Sequence, residues 1–407
     1  MDRSADSILT RRMLTWAFLA DFIPLYPLYA LFFTASGLSV LQISALFAIW
    51  SAVGIVAEVP TGALADRFSR RGCLVAAGFG QALGYACWVL APSFWGFAAG
   101  FVLWGLGSVL ASGAREALLY DGLAASGASH RYARVNGWVV SMGLLAEIPT
   151  ALVATALFAL GSYALVGWVS VALCLAAAVV ALSIPEAAPT PSPETLGAPE
   201  LGYLATIRSG LRLAVSRRGV LPLLLVTAGL GSLDALEEYF PLIVADLQVD
   251  TTLIPLAMLP IGLAGAVGAA LGGRLAARRG GTIGVLMAAS MVLLAAGAAT
   301  GHPIGVLVVA LFYGLYRAVL IVVDARLQHR IDSASRATVT SLAGMTVDLL
   351  SFAVYAAWVL GGANLVAAVG LVLAGWLAVV LRHRPPASEP GTEEAEAPGR
   401  PESIREG

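Results

Sequence analysis

The sequence predicts an all-α polytopic membrane protein, with twelve transmembrane helices arranged as two pseudo-symmetric six-helix bundles. Three observations predict it. Hydrophobic residues make up 59% of the 407-residue chain and charged ones only 12%, with a mean hydropathy of +0.85, whereas a water-soluble domain carries charge on about a quarter of its residues. The apolar residues fall in runs that match the ~20 residues a bilayer-spanning helix needs. Finally, the runs before residue 185 and those after residue 218 repeat one another weakly.

Taken in order, the spans fall at 13–34, 42–65, 73–92, 94–121, 135–159, 161–184, 220–245, 252–276, 281–300, 303–326, 337–360 and 362–382. Arg3, Arg11 and Arg12 lead into span one without a small-residue cleavage pattern. That span is therefore expected to be its own start signal. Span one holds Asp21, Tyr26 and Pro27, and span seven holds Asp234, Tyr239 and Pro241. Pro24 and Pro27 withhold backbone donors and allow the helix to bend.

All 24 basic residues are arginine. Connections after even-numbered spans contain Arg67, Arg70, Arg71, Arg131, Arg134, Arg274, Arg278, Arg279, Arg330 and Arg336, and those after odd-numbered spans contain none. Positive charge stays on the cytoplasmic side. A multi-pass protein of the cytoplasmic membrane with both termini inside is expected.

Residues 1–184 form the first bundle, 185–218 a cytoplasmic linker, 219–384 the second bundle and 385–407 an acidic tail. Five prolines between 185 and 199 extend the first part of the linker. Tyr203, Leu204, Ile207 and Leu211 alternate with Arg208 and Arg212 in the second part; this pattern suits an amphipathic helix on the membrane surface, with a plain solvated linker as the alternative. The tail, rich in proline and glutamate, is expected to be disordered.

Cys73, Cys87 and Cys174 lie in apolar runs, and the four histidines are scattered without ligand spacing. Neither a metal nor another cofactor is expected, and no nucleophile with a base, metal-ligand set or phosphate loop suggests an enzyme. The partners expected are a small-molecule substrate and the lipid bilayer, with no nucleic acid, for a monomeric protein.

A charge within the hydrocarbon is costly, so each is a functional candidate. Asp21 sits in span one. Asp234, Glu237 and Glu238 cluster in span seven, where Thr227, Gly231, Asp234 and Glu238 share one face at helical spacing. Three acids so close cannot all ionise cheaply, so at least one is expected to hold a proton near neutrality, as proton coupling requires. Arg115 and Glu116 lie in span four, and Tyr313 and Arg317 in span ten. Pairing of Arg115 or Arg317 with Asp21, Glu116 or Asp234 is expected, as a switch or a static tie between helices. Glu147, followed by Pro149, occupies the middle of span five, Asp348 the near-equivalent place in span eleven, and Glu58 the inner half of span two.

Between spans two and three the chain reads Glu58-Val59-Pro60-Thr61-Gly62-Ala63-Leu64-Ala65-Asp66-Arg67-Phe68-Ser69-Arg70-Arg71-Gly72. Gly62, Leu64, Asp66, Arg67, Arg70 and Arg71 resemble the G-x-L-a-D-r-x-G-r-[RK] loop of the major facilitator superfamily, with Ser69 in place of a glycine. Arg274 to Gly280 forms a degenerate copy, and Asp121 and Asp324 end spans four and ten.

The resemblance implies a secondary active transporter working by alternating access, with spans one, four, seven and ten around the cavity and a proton gradient as energy source. It implies a conformational gate of Gly62, Asp66, Arg67, Arg70 and Arg71, joined by Asp121 and Asp324. In it Asp66 meets the positive amino end of span eleven and Arg70 holds the carboxylate. Acids outnumber bases in the spans, which suits proton-coupled efflux of small apolar or cationic compounds. The G-x-x-x-G-P-x-x-G-G pattern of antiporters is absent from span five, and an early span-four arginine is absent too. Import of a nutrient or metabolite therefore stays open, as does a non-transporting membrane receptor.

Overall fold

The computed structural model describes residues 3–67, 69–187, 220–276, 278–331 and 336–382; within these, the side chains of residues 3–5, 58–67, 336–338 and 341 fall outside the description. The expected surface helix of the linker and the acidic tail therefore lie outside the described residues, as do the side chains of Glu58, Asp66, Arg67 and Arg336 and the surroundings of Gly62.

Span one comprises α1 (Arg3–Asp21), a 3-10 turn (Tyr26–Leu28) and α2 (Tyr29–Ala35). Spans two to six are α3 (Val40–Arg67), α4 (Arg70–Leu90), α5 (Phe94–Ala125), α6 (Tyr132–Leu160) and α7 (Tyr163–Leu182). Span seven comprises α8 (Val220–Gly231), a 3-10 segment (Ser232–Tyr239) and α9 (Phe240–Asp246). α10 (Ile254–Leu275), α11 (Gly280–Ala299) and α12 (Gly305–Gln328) follow, and α13 (Arg336–Arg382) covers the remainder.

Eleven stretches among the described residues are long and apolar enough to cross a membrane, and the last, Leu342–Arg382, has 41 residues. At 1.5 Å per residue this is about 60 Å, twice the hydrocarbon thickness. Non-helical Gly361 and Gly362 divide it; Gly362 has φ +58°, a left-handed conformation that a residue without Cβ adopts at no steric cost. The arm after the turn packs back along α11, where Gly284 faces Ala378 and Gly280 faces Leu381. The chain thus crosses twelve times.

Spans one and seven were expected to be single helices. Both are broken, at the same point of the repeat. Pro24 and Pro27 lack amide hydrogens, and the residue before a proline is pushed out of helical geometry. The Leu25 amide, freed at the break, donates to Ser170 Oγ of α7 at 3.0 Å. In span seven the Leu230 carbonyl accepts from the Tyr316 hydroxyl of α12 at 2.8 Å. A backbone break in hydrocarbon persists only where a neighbouring helix satisfies it, and both breaks meet that condition.

The densest packing lies within each half: α4 against α5 and α7, and α10 against α12. Small residues bring the helices together, as where Gly107 of α5 lies against the Ala77 carbonyl of α4. Between the halves, Ser44 Oγ and Tyr239 OH are 2.7 Å apart and Ser51 Oγ and Tyr355 OH 3.0 Å. Phe47 stands edge-on to Tyr239, whose other face stacks on Trp358 at 4.3 Å. These contacts join the halves at the end of the molecule that lacks arginine.

Candidate functional site: a cavity between the halves

A cavity of about 500 Å³ lies beneath that aromatic closure, lined from both halves. Span one supplies Tyr26, Pro27 and Tyr29; α6 supplies Leu144, Glu147, Thr150 and Ala151. The other half contributes Glu237, Glu238, Phe240 and Pro241 of span seven, Met258, Gly262 and Gly265 of α10, and Tyr313 and Arg317 of α12. The helix breaks explain Tyr26, Glu237 and Glu238 here, because the 3-10 turns re-aim side chains that a straight helix would space differently.

The clearest case is the acidic cluster. On a regular helix Asp234 would share its face with Glu238, as expected above. A 3-10 helix has three residues per turn, so i and i+3 align instead. Asp234 accordingly shares its face with Glu237. Arg317 Nη1 lies 3.2 Å from both carboxylate oxygens of Asp234 and 3.9 Å from Glu237 Oε1. The Tyr313 hydroxyl donates to Glu237, and the Arg317 guanidinium lies 5.9 Å from the centre of the Tyr313 ring. Glu238 stands apart from this network on the cavity wall.

The first half arranges its charges differently. Arg115 Nη2 lies 3.1 Å from Glu116 Oε1, its neighbour on α5. The Asp21 carboxylate packs directly on Gly143 of α6. One turn further along the same face of α6, Glu147 reaches the cavity. Asp21, Arg115 and Glu116 are absent from the cavity lining, as is Asp348, which is half-buried on α13.

At the arginine-rich end, Arg70 forms an ion pair with buried Asp121 and donates to the Ala117 carbonyl at 3.2 Å. Asp121, a gate candidate, thus meets Arg70 directly, whereas the expected contact of Arg70 with Asp66 involves a side chain outside the described residues. Ser69, which departs from the motif glycine, caps α4 by accepting from the Gly72 amide at 2.9 Å. The corresponding loop of the second half uses Arg326 instead, which donates to the carbonyls of Ala276 and Arg278 at 3.3 and 2.5 Å. Asp324, two residues before Arg326 on α12, is exposed.

Two contributors lacked a sequence signal. Glu186, two residues past the end of span six, accepts from Ser69 Oγ at 2.6 Å and from the Arg71 amide at 3.2 Å. Asp6, buried near the start of α1, pairs with Arg131, which the sequence had marked only as a topology charge. Tyr29 and Met258 of the cavity wall look like any other apolar positions.

The sequence matches the Major Facilitator Superfamily profile over residues 13–356. Among solved structures, it is similar to the nucleoside transporter NupG, at 14% identity and TM-score 0.70, covering 92% of this chain and 97% of that one. It is also similar to a bacterial homologue of the iron transporter ferroportin in an inward-facing state (17% identity, TM-score 0.67, 94% and 98% covered). A D-xylose-proton symporter gives 18% identity, TM-score 0.63 and coverage of 91% and 96%. At these identities the likeness is one of fold. No curated protein matches the chain.

Proposed function

Because the chain belongs to the major facilitator superfamily, and is therefore a membrane transporter, we propose that it exports small aromatic or lipophilic cations in exchange for protons. One observation carries this reading. Glu147 from one half and Glu237 and Glu238 from the other line a cavity whose remaining wall is mainly apolar and aromatic. The only arginine among the lining residues, Arg317, is already paired with Asp234. The cavity thus holds an excess of carboxylates beside rings that favour a cation. A carboxylate that releases its proton as a cation enters, and regains it as the cation leaves, exchanges one charge for the other.

The rest of the cycle follows from the fold. With arginine-rich loops in the cytoplasm, the Ser44–Tyr239 and Ser51–Tyr355 contacts close the outer end. Rocking the two bundles would open it, and Asp66 and its arginines bias that equilibrium at the inner end. Asp66→Asn is expected to abolish transport at unchanged membrane abundance.

The test uses purified protein in liposomes with an imposed pH gradient and ethidium as the probe. Cation movement against the proton gradient, lost in Glu147→Gln and Glu238→Gln, supports the proposal. Movement of ethidium with the protons would indicate import, and none in either direction would refute this cargo.

A further inference from the structure

The cavity contains one contact that crosses between the halves through a carboxylate. Glu147 projects from α6, and its Oε2 lies against Gly262 of α10, so close that a Cβ built on that glycine would stand 2.9 Å from it. Both residues line the cavity. The same face of α6 holds Gly143, on which Asp21 of α1 rests. Two positions one turn apart on α6 thus each take part in a carboxylate–glycine contact with a neighbouring helix, Gly143 with Asp21 within a half and Glu147 with Gly262 across the interface.

We propose that Gly262 is a positioning residue: its missing side chain seats the Glu147 carboxylate across the interface and fixes where that group meets a bound cation. A methyl group there would not split the helices, because the only atom it meets among the described residues is the end of a flexible glutamate. It would instead push the carboxylate off its seat. Any motion that separates α6 from α10 does the same, so Glu147 changes its surroundings as the halves part. This deepens the proposed export function and rests on it only for the choice of probe.

Size complementarity supplies the test. Gly262→Ala should lower the initial ethidium rate at sub-saturating probe about tenfold, by raising KM rather than by loss of folded protein. Glu147→Asp alone should lower it similarly, since the shortened acid no longer reaches. Together, the added methyl fills what the lost methylene vacates, and the double variant should recover to within about threefold of wild type. Independent losses that multiply, or a wild-type KM in Gly262→Ala, would overturn the proposal.

A second measurement is independent of cargo. Labelling of Glu147 by dicyclohexylcarbodiimide, read by peptide mass spectrometry, should accelerate about threefold or more in Gly262→Ala as the carboxylate leaves its seat. An unchanged labelling rate overturns the proposal. If wild-type protein moves no ethidium yet labelling accelerates, the cargo is wrong and the seat stands.

Discussion

The two halves hold nearly the same charges at different depths. In the second half the strong ion pair lies at the helix break, where Arg317 joins Asp234 and Glu237, and the arginine-rich loop is held through backbone carbonyls by Arg326. In the first half the most buried ion pair is at the loop, between Arg70 and Asp121, Arg115 in mid-span pairs with its exposed neighbour Glu116, and Asp21 at the break rests on Gly143. One bundle is tied at its middle and the other at its end. The difference teaches that a repeat conserves where a helix must break more faithfully than which side chain secures it. The break follows from proline and backbone chemistry, whereas a guanidinium can reach its acid from several positions.

This contrast can be broken experimentally, the largest effect first. Arg70→Ala removes the guanidinium paired with buried Asp121 and should lower thermal stability in detergent by about 3 kcal/mol. Arg317→Ala removes the guanidinium paired with Asp234, but both side chains are about a third exposed, at 31% and 37%; about 2 kcal/mol is expected, largely regained in Asp234→Asn with Arg317→Gln. Arg326→Ala removes bonds to neutral carbonyls and should cost about 1 kcal/mol. Asp21→Asn should change the stability least, by less than about 0.5 kcal/mol. Equal stability losses in the Asp21 and Asp234 variants would erase the proposed distinction between the halves.

Particular residues show how far sequence reasoning reached. Pro24 and Pro27 announced a bend in span one, and the structure breaks there; Pro241 was noted only as the counterpart of Pro27, and it opens the helix that follows the 3-10 segment of span seven. Arg115, Arg317, Asp234 and Glu116 were marked as partners to be sorted, and the pairs that form are Arg317 with Asp234 and Arg115 with Glu116. The face of span seven was misread, because helical spacing was carried through Ser232–Tyr239, where the helix tightens to three residues per turn. Glu186 was read as linker, since nothing local to Pro185 tells that its neighbour folds back onto Ser69 and Arg71.

By itself the sequence determined the twelve spans and where prolines and charges fall along them, because hydropathy and proline act through the nearest few residues; the structure added the Gly361–Gly362 turn and the broken form of spans one and seven. Only the tertiary structure decided that Glu147 meets Gly262 and shares a cavity with Glu237 and Glu238, while Asp21 and Arg115 stay outside it. Those meetings depend on the rotation and crossing of helices far apart in the chain, which small-residue packing sets and no local pattern encodes.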